Sequence, residues 1–289
     1  MRKGIVLYLD REIAEEERWA FLSEGNRLSS LLCRDLYGIC FLHPGVEEKG
    51  LEAYGLWKLF VIEGTEFEEY DFHLFGSALS EALRGLPFEL LLFPHSQIGR
   101  ELACWVAEAF GTFAVTDCVD VRIREGRPIY VRHVYGGQYE QELTLPESSP
   151  HVVSLNLHHL DKRRPYFSSS LEKIKISLKP AVERRTKNLE TIAPHFSTVD
   201  LSFADLIIGV GAGCLDGEVL NLVEELSSCM EAPCGVTRPV VDEGYFPKER
   251  MVGQTGRTVS PKLYLALGIS GSPHHMAGIR GAQRIVAIN

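Results

Sequence analysis

The stretch Asp205-Leu-Ile-Ile-Gly-Val-Gly-Ala-Gly-Cys214 joins an apolar run to a cluster of glycines. Its first part, Leu206–Ile208, has the side chains of a buried strand, and glycines follow at alternate positions. From about residue 217 to residue 230, apolar residues at three- and four-residue spacing predict a helix. A buried strand that turns through glycines into a helix is typical of a parallel α/β sheet.

The same glycines resemble an incomplete dinucleotide-binding loop. The pattern G-x-G-x-x-G begins at Gly209, but Cys214 stands where the third glycine is required. A phosphate cradle and a tight strand-to-helix turn therefore both remain open for this loop.

Strand–helix alternation continues in both directions along the chain. Further strands are predicted over 4–9, 37–42, 58–62, 89–93, 151–157, 234–236, 263–267 and 285–288. Further helices are predicted over 15–32, 71–83 and 98–110, with a short one from Pro273. Residues 119–124 and 129–134 alternate strictly, which predicts an antiparallel hairpin near a sheet edge with one face in water.

Residues 161–194 interrupt the alternation. They are rich in Lys, Arg and Ser, contain three prolines and lack a long apolar run, so we interpret them as a connection with some strand around 174–178. We therefore expect two α/β domains. Residues 1–185 form a parallel-sheet domain with the connecting segment, and residues 186–289 form a second, doubly wound domain.

The composition excludes several classes of protein. Of 289 residues, 45% are hydrophobic and 24% charged, which is ordinary for a globular chain. A formal net charge of −9 argues against nucleic-acid binding, and no apolar run reaches the ~18 residues of a membrane span. The seven cysteines lack zinc-finger spacing, so we expect no metal site and buried free thiols in the cytoplasm. Neither a nucleophile nor a general-base dyad is evident, and no catalytic residue is predicted.

Glycines concentrate in the last quarter of the chain, where 12 of the 26 lie between residues 209 and 281. Ligands of open α/β sheets bind beyond the carboxyl ends of strands. Arg238 follows one such strand and could reach a ligand, or pair with Asp242 or Glu243 on the surface. The loop 252–256 places an amide and a hydroxyl between two glycines, a pattern that a structural hairpin does not require.

A third loop, 268–278, has the features of an anion-binding helix start. Ser272 can cap a helix whose first position is Pro273, and exposed amides at helix starts attract anions. His274 and His275 lie in that first turn, where the dipole disfavours a cation unless a ligand offsets it. Together, the loops predict a phosphate-bearing cofactor with a polar ring system.

The C-terminal motifs resemble the signature of electron-transfer flavoprotein alpha subunits in order and spacing. They are Thr237-Arg238 with Asp242, Val252-Gly-Gln-Thr-Gly256, Ser260-Pro-Lys-Leu-Tyr264, Gly268-Ile-Ser-Gly271 and Ile285-Val-Ala-Ile-Asn289. A looser resemblance covers residues 94–137, and the whole chain is identified as a member of that family. The resemblance implies a flavodoxin-like second domain that holds FAD, and a heterodimer with a beta subunit. It also implies flavin dehydrogenases such as acyl-CoA dehydrogenase as donors, a quinone-linked acceptor, and a place in fatty acid β-oxidation.

Residue roles follow from the resemblance by position. Arg238 would lie against the isoalloxazine ring, and Thr255 would bond near its N5. Residues 270–274 would wrap the ribityl–pyrophosphate, His275 would approach the pyrimidine carbonyl, hydrogen-bonding or protonated, and Asn289 would contact the adenosine. The residues implied to bind FAD are Thr237, Arg238, Val252, Gly253, Gln254, Thr255, Ser270, Gly271, Ser272, Pro273, His274, His275 and Asn289.

The sequence departs from the family pattern at three places. Ala212 stands where the family commonly has arginine, and His274 stands where glutamine is usual. Family members continue past the asparagine with a loop, strand and helix that include an aspartate for the adenosine. We therefore expect the second domain to lack its last strand and helix, as a trimmed chain or as a natural short form with weaker FAD binding.

An electron carrier that converts no substrate itself is the leading hypothesis, and two alternatives remain open. One is a subunit of an electron-bifurcating complex whose partner holds a second FAD. The other is an adenine-nucleotide-binding homologue that has lost the flavin. Ala212 and the short C-terminus favour the second alternative, whereas Arg238, Thr255 and His275 oppose it.

Overall fold

A computed structural model describes residues 4–42, 50–135, 137–161, 170–178, 182–186, 189 and 198–289. The chain divides into two compact units. Unit 1 comprises Met1–His133 and Glu140–Leu189, and unit 2 comprises Val134–Tyr139 and Glu190–Asn289. The domain boundary expected between residues 185 and 186 stays a prediction.

The secondary structure follows the predicted alternation. The strands are β1 (Gly4–Tyr8), β2 (Leu36–Phe41), β3 (Leu56–Glu63), β4 (Phe88–Pro94), β5 (Ala114–Cys118), β6 (Asp120–Arg124), β7 (Arg127–Val134), β8 (Tyr139–Leu143), β9 (His151–Leu155), β10 (Glu172–Ser177), β11 (Leu206–Val210), β12 (Cys234–Val236), β13 (Leu263–Leu267) and β14 (Ile285–Ile288). The helices are α1 (Glu15–Leu32), α2 (Phe72–Arg84), α3 (Gln97–Ala109), α4 (Gly217–Cys229), α5 (Arg238–Asp242) and α6 (Pro273–Ala277).

Unit 1 is built on seven parallel strands in the order β10-β3-β2-β1-β4-β9-β5. Successive residues of β1 point to opposite faces, so Val6 packs in one hydrophobic cluster with α2 and α3, while Ile5 and Leu7 pack in another with α1. Both faces are covered, which explains why β1, β2 and β9 are buried at every position and why β1 and β2 carry no charged residue.

The predicted hairpin forms directly after β5, the edge strand of the parallel sheet. Strands β6 and β7 pair antiparallel, and Val121 and Tyr130, which lie opposite each other, are buried on one face. With β8 they make a separate three-stranded sheet rather than an edge of the parallel sheet. Ion pairs on the exposed face join β6 to β8, for example Arg122 to Glu140 at 3.0 Å.

Unit 2 is built on four parallel strands in the order β12-β11-β13-β14. In chain order this is 2-1-3-4, the start of the flavodoxin-like doubly wound order 2-1-3-4-5, whose switch point lies between the first and third strands. Here those strands are β11 and β13. Tyr264 of β13 is fully buried beneath Gly209 of β11, where a β-carbon would collide with the tyrosine ring.

The expectation of buried thiols was wrong in part. Among the described residues all seven cysteines are free, but Cys33, Cys104 and Cys229 are exposed because they lie at helix ends or on outward helix faces. Within the described ranges, no helix is long and apolar enough to cross a membrane, and no group of side chains is suited to hold a metal ion.

A carboxylate in unit 1 fastens part of the connecting segment. Asp71 caps α2 through the Leu74 amide at 2.9 Å, and its second oxygen accepts the Thr186 amide at 2.9 Å and hydroxyl at 2.6 Å, with the Arg185 amide at 3.2 Å. Burial alone would raise the pKa of Asp71, but these hydrogen bonds outweigh it and hold that pKa well below its ordinary value.

We predict that Asp71→Asn lowers the free energy of unfolding of unit 1 by about 2 kcal/mol at pH 7, because charge-assisted hydrogen bonds are lost. A carboxyl with a lowered pKa stabilises the fold above its unfolded pKa, ~3.9, and that stabilisation is lost as the pH falls below it. The difference between variant and wild type should therefore shrink below about pH 4. Urea unfolding followed by tryptophan fluorescence reports on unit 1, which contains all three tryptophans.

The matched control is Glu69→Gln, which removes an exposed ion pair with Arg184 at 3.1 Å. Exposed pairs contribute about 0–1 kcal/mol, so this variant should unfold nearly as the wild type does. An equal decrease in the free energy of unfolding for the two variants would contradict the conclusion that Asp71 fastens the connecting segment.

Candidate functional site

The carboxyl ends of β11 and β13 are joined backbone to backbone at the switch point of unit 2. The Gly211 amide donates to the Leu267 carbonyl at 2.8 Å, and the Gly213 amide donates to the Gly268 carbonyl at 3.1 Å. A β-carbon on Gly211 would collide with the Gly268 carbonyl, and Gly268 itself has φ +59°. Glycine is required here for close approach and for the left-handed turn, which gives the first glycine loop a structural explanation.

A second loop, residues 252–257, closes over the end of β12. The Val252 amide donates to the Val236 carbonyl at 2.9 Å, and the Gly253 amide donates to the Arg257 carbonyl at 3.1 Å. The turn leaves Gln254 and Thr255 exposed on the surface of unit 2. Their side chains are thereby presented at the carboxyl edge of the sheet, as the sequence predicts.

The first turn of α6 is fastened to this loop. The Gln254 amide donates to the His274 carbonyl at 2.8 Å, and His274 Nδ1 lies 2.6 Å from Gln254 Oε1. Gly253, at φ +145°, packs so closely that a β-carbon would lie 2.9 Å from the His274 carbonyl oxygen. We call this arrangement of residues 252–256 with His274 and His275 the loop–helix clasp.

His275 is the buried member of the clasp, with 4% of its surface exposed. Its Nδ1 lies 3.0 Å from the Val252 carbonyl, which can only accept, so Nδ1 carries the proton. Nε2 then accepts from the Tyr264 hydroxyl at 3.1 Å. Burial lowers the pKa of His275, although the bond to Val252 opposes this, and the imidazole is neutral. Both ring nitrogens are bonded to protein, and the contact with the pyrimidine carbonyl expected of His275 stays a prediction.

Thr237 ends β12 beside the clasp, and its hydroxyl is unsatisfied. The residue is 9% exposed, yet Oγ1 is buried without a hydrogen-bond partner among the described residues. Buried hydroxyls nearly always have a partner, so an orphan at the carboxyl end of a strand indicates a place for a ligand group.

Arg238 follows immediately and is mostly exposed. Its Nε lies 3.6 Å from Asp242 Oδ2, one helical turn along α5, in an ion pair of which both side chains are more than half exposed. Such pairs contribute little, and the guanidinium can therefore turn toward a ligand at small cost.

The other residues expected to bind FAD lie in two places, before α6 and after β14. Ser270, Gly271, Ser272 and Pro273 are exposed on the way into α6, where Ser272 Oγ accepts the His275 amide at 3.5 Å as the predicted cap. Asn289 directly follows β14, beside Gly213 and Gly268 of the switch point. With Leu222, Leu267 and Ile288 it lines an apolar groove of about 310 Å³ between α4 and the ends of β13 and β14.

Sequence reasoning missed one residue of the site. Tyr264 entered only as part of a motif, but its hydroxyl completes the hydrogen bonding of His275 at Nε2, and burial raises the pKa of Tyr264. The available signal was a tyrosine within an otherwise aliphatic buried strand, because a buried hydroxyl requires a partner.

Known proteins resemble the chain over most of its length. Residues 200–280 match the family described as electron transfer flavoprotein FAD-binding domain, and residues 21–194 match the electron transfer flavoprotein domain. The chain is 31% identical to "Protein FixB" of Azotobacter vinelandii over 97% of its own length and 80% of that protein. It is 30% identical to the electron transfer flavoprotein subunit alpha of Thermoanaerobacterium thermosaccharolyticum, over 83% and 74% of the two chains. It is also 26% identical to the Acetobacterium woodii "Lactate dehydrogenase (NAD(+),ferredoxin) subunit LctC", over 99% and 70%.

We predict that Gly211→Ala destabilises unit 2 by about 2 kcal/mol, because the added methyl group must displace the Gly268 carbonyl. Gly217→Ala is the matched control, since nothing lies within 4 Å of its β-carbon position and alanine favours the start of α4. Calorimetric unfolding of the two variants measures the difference. A Gly211→Ala protein as stable as Gly217→Ala would show that the two loops do not depend on this contact.

Proposed function

The chain belongs to the electron transfer flavoprotein alpha-subunit family, and from that premise we propose that unit 2 binds FAD at the carboxyl edge of its four-stranded sheet. Paired with a beta subunit, the protein would act as an electron carrier. It would accept electrons onto the flavin and deliver them to a second redox protein, without converting a substrate of its own.

One observation carries this proposal most directly, namely the unsatisfied Thr237 hydroxyl at the end of β12. It lies within the residues that match the FAD-binding family and next to the loop–helix clasp. A flavin offers several ring nitrogens and carbonyl oxygens that could satisfy this hydroxyl.

The exposed side chains of the site supply the polar contacts that such a cofactor needs. The Arg238 guanidinium would stabilise negative charge that develops on the ring upon reduction. Thr255 and Gln254, held outward by the turn, would donate hydrogen bonds to ring atoms. When bound, FAD supplies the redox chemistry, and the protein orients it and tunes its potential.

Residues 270–273 and Asn289 would complete the site. The exposed run before α6 presents backbone amides and two hydroxyls to a pyrophosphate. Asn289 borders the apolar groove on α4, where an adenine ring can be buried with its edge toward the amide. Val252 and His275 would act indirectly. Their hydrogen bond holds in place the loop that carries Gln254 and Thr255.

A second candidate function is a subunit of an electron-bifurcating complex. The similarity to a subunit of an enzyme whose name gives both NAD⁺ and ferredoxin favours it. The donor and acceptor that the resemblance implies, acyl-CoA dehydrogenase and a quinone-linked protein in fatty acid β-oxidation, stay predictions. Reduction of the alpha–beta complex by NADH, followed at 450 nm, distinguishes the two, because a simple carrier requires a dehydrogenase as donor.

We predict that Thr237→Val weakens FAD binding about 5- to 10-fold, the effect of one lost hydrogen bond. The same change should leave the unfolding of the FAD-free protein unaltered or slightly more stable, because the hydroxyl has no protein partner among the described residues. Quenching of flavin fluorescence on titration with the protein gives the affinity, and Thr144→Val, an exposed threonine of unit 1, is the matched control.

If the alpha–beta complex binds AMP but not FAD, the electron-carrier function is contradicted. The adenine-nucleotide-binding alternative would then be supported. Loss of stability in FAD-free Thr237→Val would instead show that the hydroxyl serves the protein and not a ligand.

A further inference from the structure

Arg18 of unit 1 is a buried cation without a counter-ion. The residue is only 7% exposed, and its Nε is buried with no hydrogen-bond partner among the described residues. Within the same part of the chain, no carboxylate forms an ion pair with the guanidinium. Arginine keeps its charge in proteins, and an uncompensated buried charge destabilises a fold. We propose that Arg18 is the centre of an anion site in unit 1 and that a phosphate group supplies the missing counter-charge.

Helix geometry places Arg18 beyond the end of β1. Gly25 of α1 packs directly on β1, since a β-carbon there would lie 2.6 Å from Leu7 Cδ1. Arg18 precedes Gly25 by about two helical turns, roughly 10 Å along the axis, and lies on the same face. Because α1 runs back from the carboxyl end of β1 to the start of the parallel strand β2, this distance takes Arg18 past Tyr8, where β1 ends. The side chain of a helical residue leans toward the start of its helix, so the guanidinium lies at the carboxyl edge of the seven-stranded sheet.

This edge is where open α/β sheets bind their ligands. Strands β2 and β4 pair with opposite sides of β1, so the order of strands reverses between β1 and β4. The short helical turn Leu157–His159, which follows β9, lies beside the start of α1, with His158 Nδ1 4.0 Å from Glu17 Oε1. Arg18 therefore belongs to the helix turn that borders the switch point of unit 1.

The buried carboxylate of the same edge has partners of its own. Asp10 is 1% exposed and lies two residues after β1. Its Oδ1 accepts the Glu12 amide at 3.0 Å, and its Oδ2 accepts the Ser96 hydroxyl. Ser96 in turn accepts the Gly99 amide at 2.9 Å as the cap of α3. This network is complete without Arg18, and it leaves the charge of the guanidinium uncompensated.

The chemistry of the position suits a single phosphate group. The N–H groups of a guanidinium match two phosphate oxygens in a forked geometry. Ala14, the N-cap residue of α1, has no side chain that can accept, so it leaves the first amides of the helix for an anion. Glu15 and Glu17 of the same turn are acidic and limit the negative charge that the position accepts, which favours one phosphate over a pyrophosphate.

Every residue of this site belongs to unit 1, so the inference goes beyond the proposed function and its test needs no FAD. The same outcomes are expected whether or not unit 2 binds the flavin.

The first test compares the full chain with Arg18→Met and, as the matched control, Arg84→Met. Arg84 is exposed in the last turn of α2. Urea unfolding followed by tryptophan fluorescence, which reports on unit 1, is measured in about 20 mM phosphate and in NaCl of equal ionic strength. For a Kd of about 1 mM, phosphate raises the folding equilibrium constant about 20-fold. Wild type and Arg84→Met should show this gain in full, and Arg18→Met should show only the general effect of phosphate on protein surfaces.

Without phosphate, Arg18→Met should be at least as stable as wild type, because methionine keeps the apolar stem of arginine and removes a buried charge. Failure of Arg18→Met to fold, or a lower urea midpoint without phosphate, would show that the guanidinium serves the fold and would overturn the inference. An equal gain from phosphate in all three proteins would overturn it as well.

A second arm identifies the source of the phosphate group. AMP replaces inorganic phosphate at the same concentration, with wild type and Arg18→Met. A larger gain from AMP that depends on Arg18 would identify the ligand as a phosphate ester, and a gain from inorganic phosphate alone would identify it as the free ion. Absence of an Arg18-dependent gain from either compound would contradict the anion site.

Discussion

Two backbone segments must approach within hydrogen-bond distance where the order of strands reverses in unit 2, and the site depends on this approach. Gly211 and Gly213 donate to the carbonyls of Leu267 and Gly268, and no residue with a β-carbon fits at Gly211. This contact fixes the carboxyl ends of β11 and β13, which in turn sets where α6 begins. Thr237 and the loop 252–257 are then brought to the same edge through the pairing of β12 with β11. The candidate site is thus a consequence of close backbone packing.

The loop–helix clasp places two histidines with different surroundings at this edge of the sheet. One imidazole is buried and neutral and holds the loop from below, and the next is exposed and bonded to a glutamine side chain. The two histidines therefore join α6 to the loop at one buried point and one exposed point.

Much of the fold could be predicted from sequence, because buried parallel strands and amphipathic helices leave clear periodicities. The four strands of unit 2 and Ser272 as a helix cap are examples. The separate sheet of β6–β8 could not be predicted, because strict alternation identifies a hairpin but not the sheet it joins. The neutral state of His275 depends on Tyr264 and Val252, which only the tertiary structure brings to its ring nitrogens. The unsatisfied Thr237 hydroxyl is likewise invisible in a sequence, since it is defined by the lack of a partner in space among the described residues.

We propose that FAD binds at the carboxyl edge of the four-stranded sheet. Amide hydrogen exchange of the full chain with its beta subunit, with and without FAD, tests this most directly. FAD should slow exchange in segments 209–216, 237–238, 252–257 and 268–276, where the loops of that edge lie, with little change in the strands of unit 1. Protection confined to other parts of the chain, with these four segments unaffected, would contradict it.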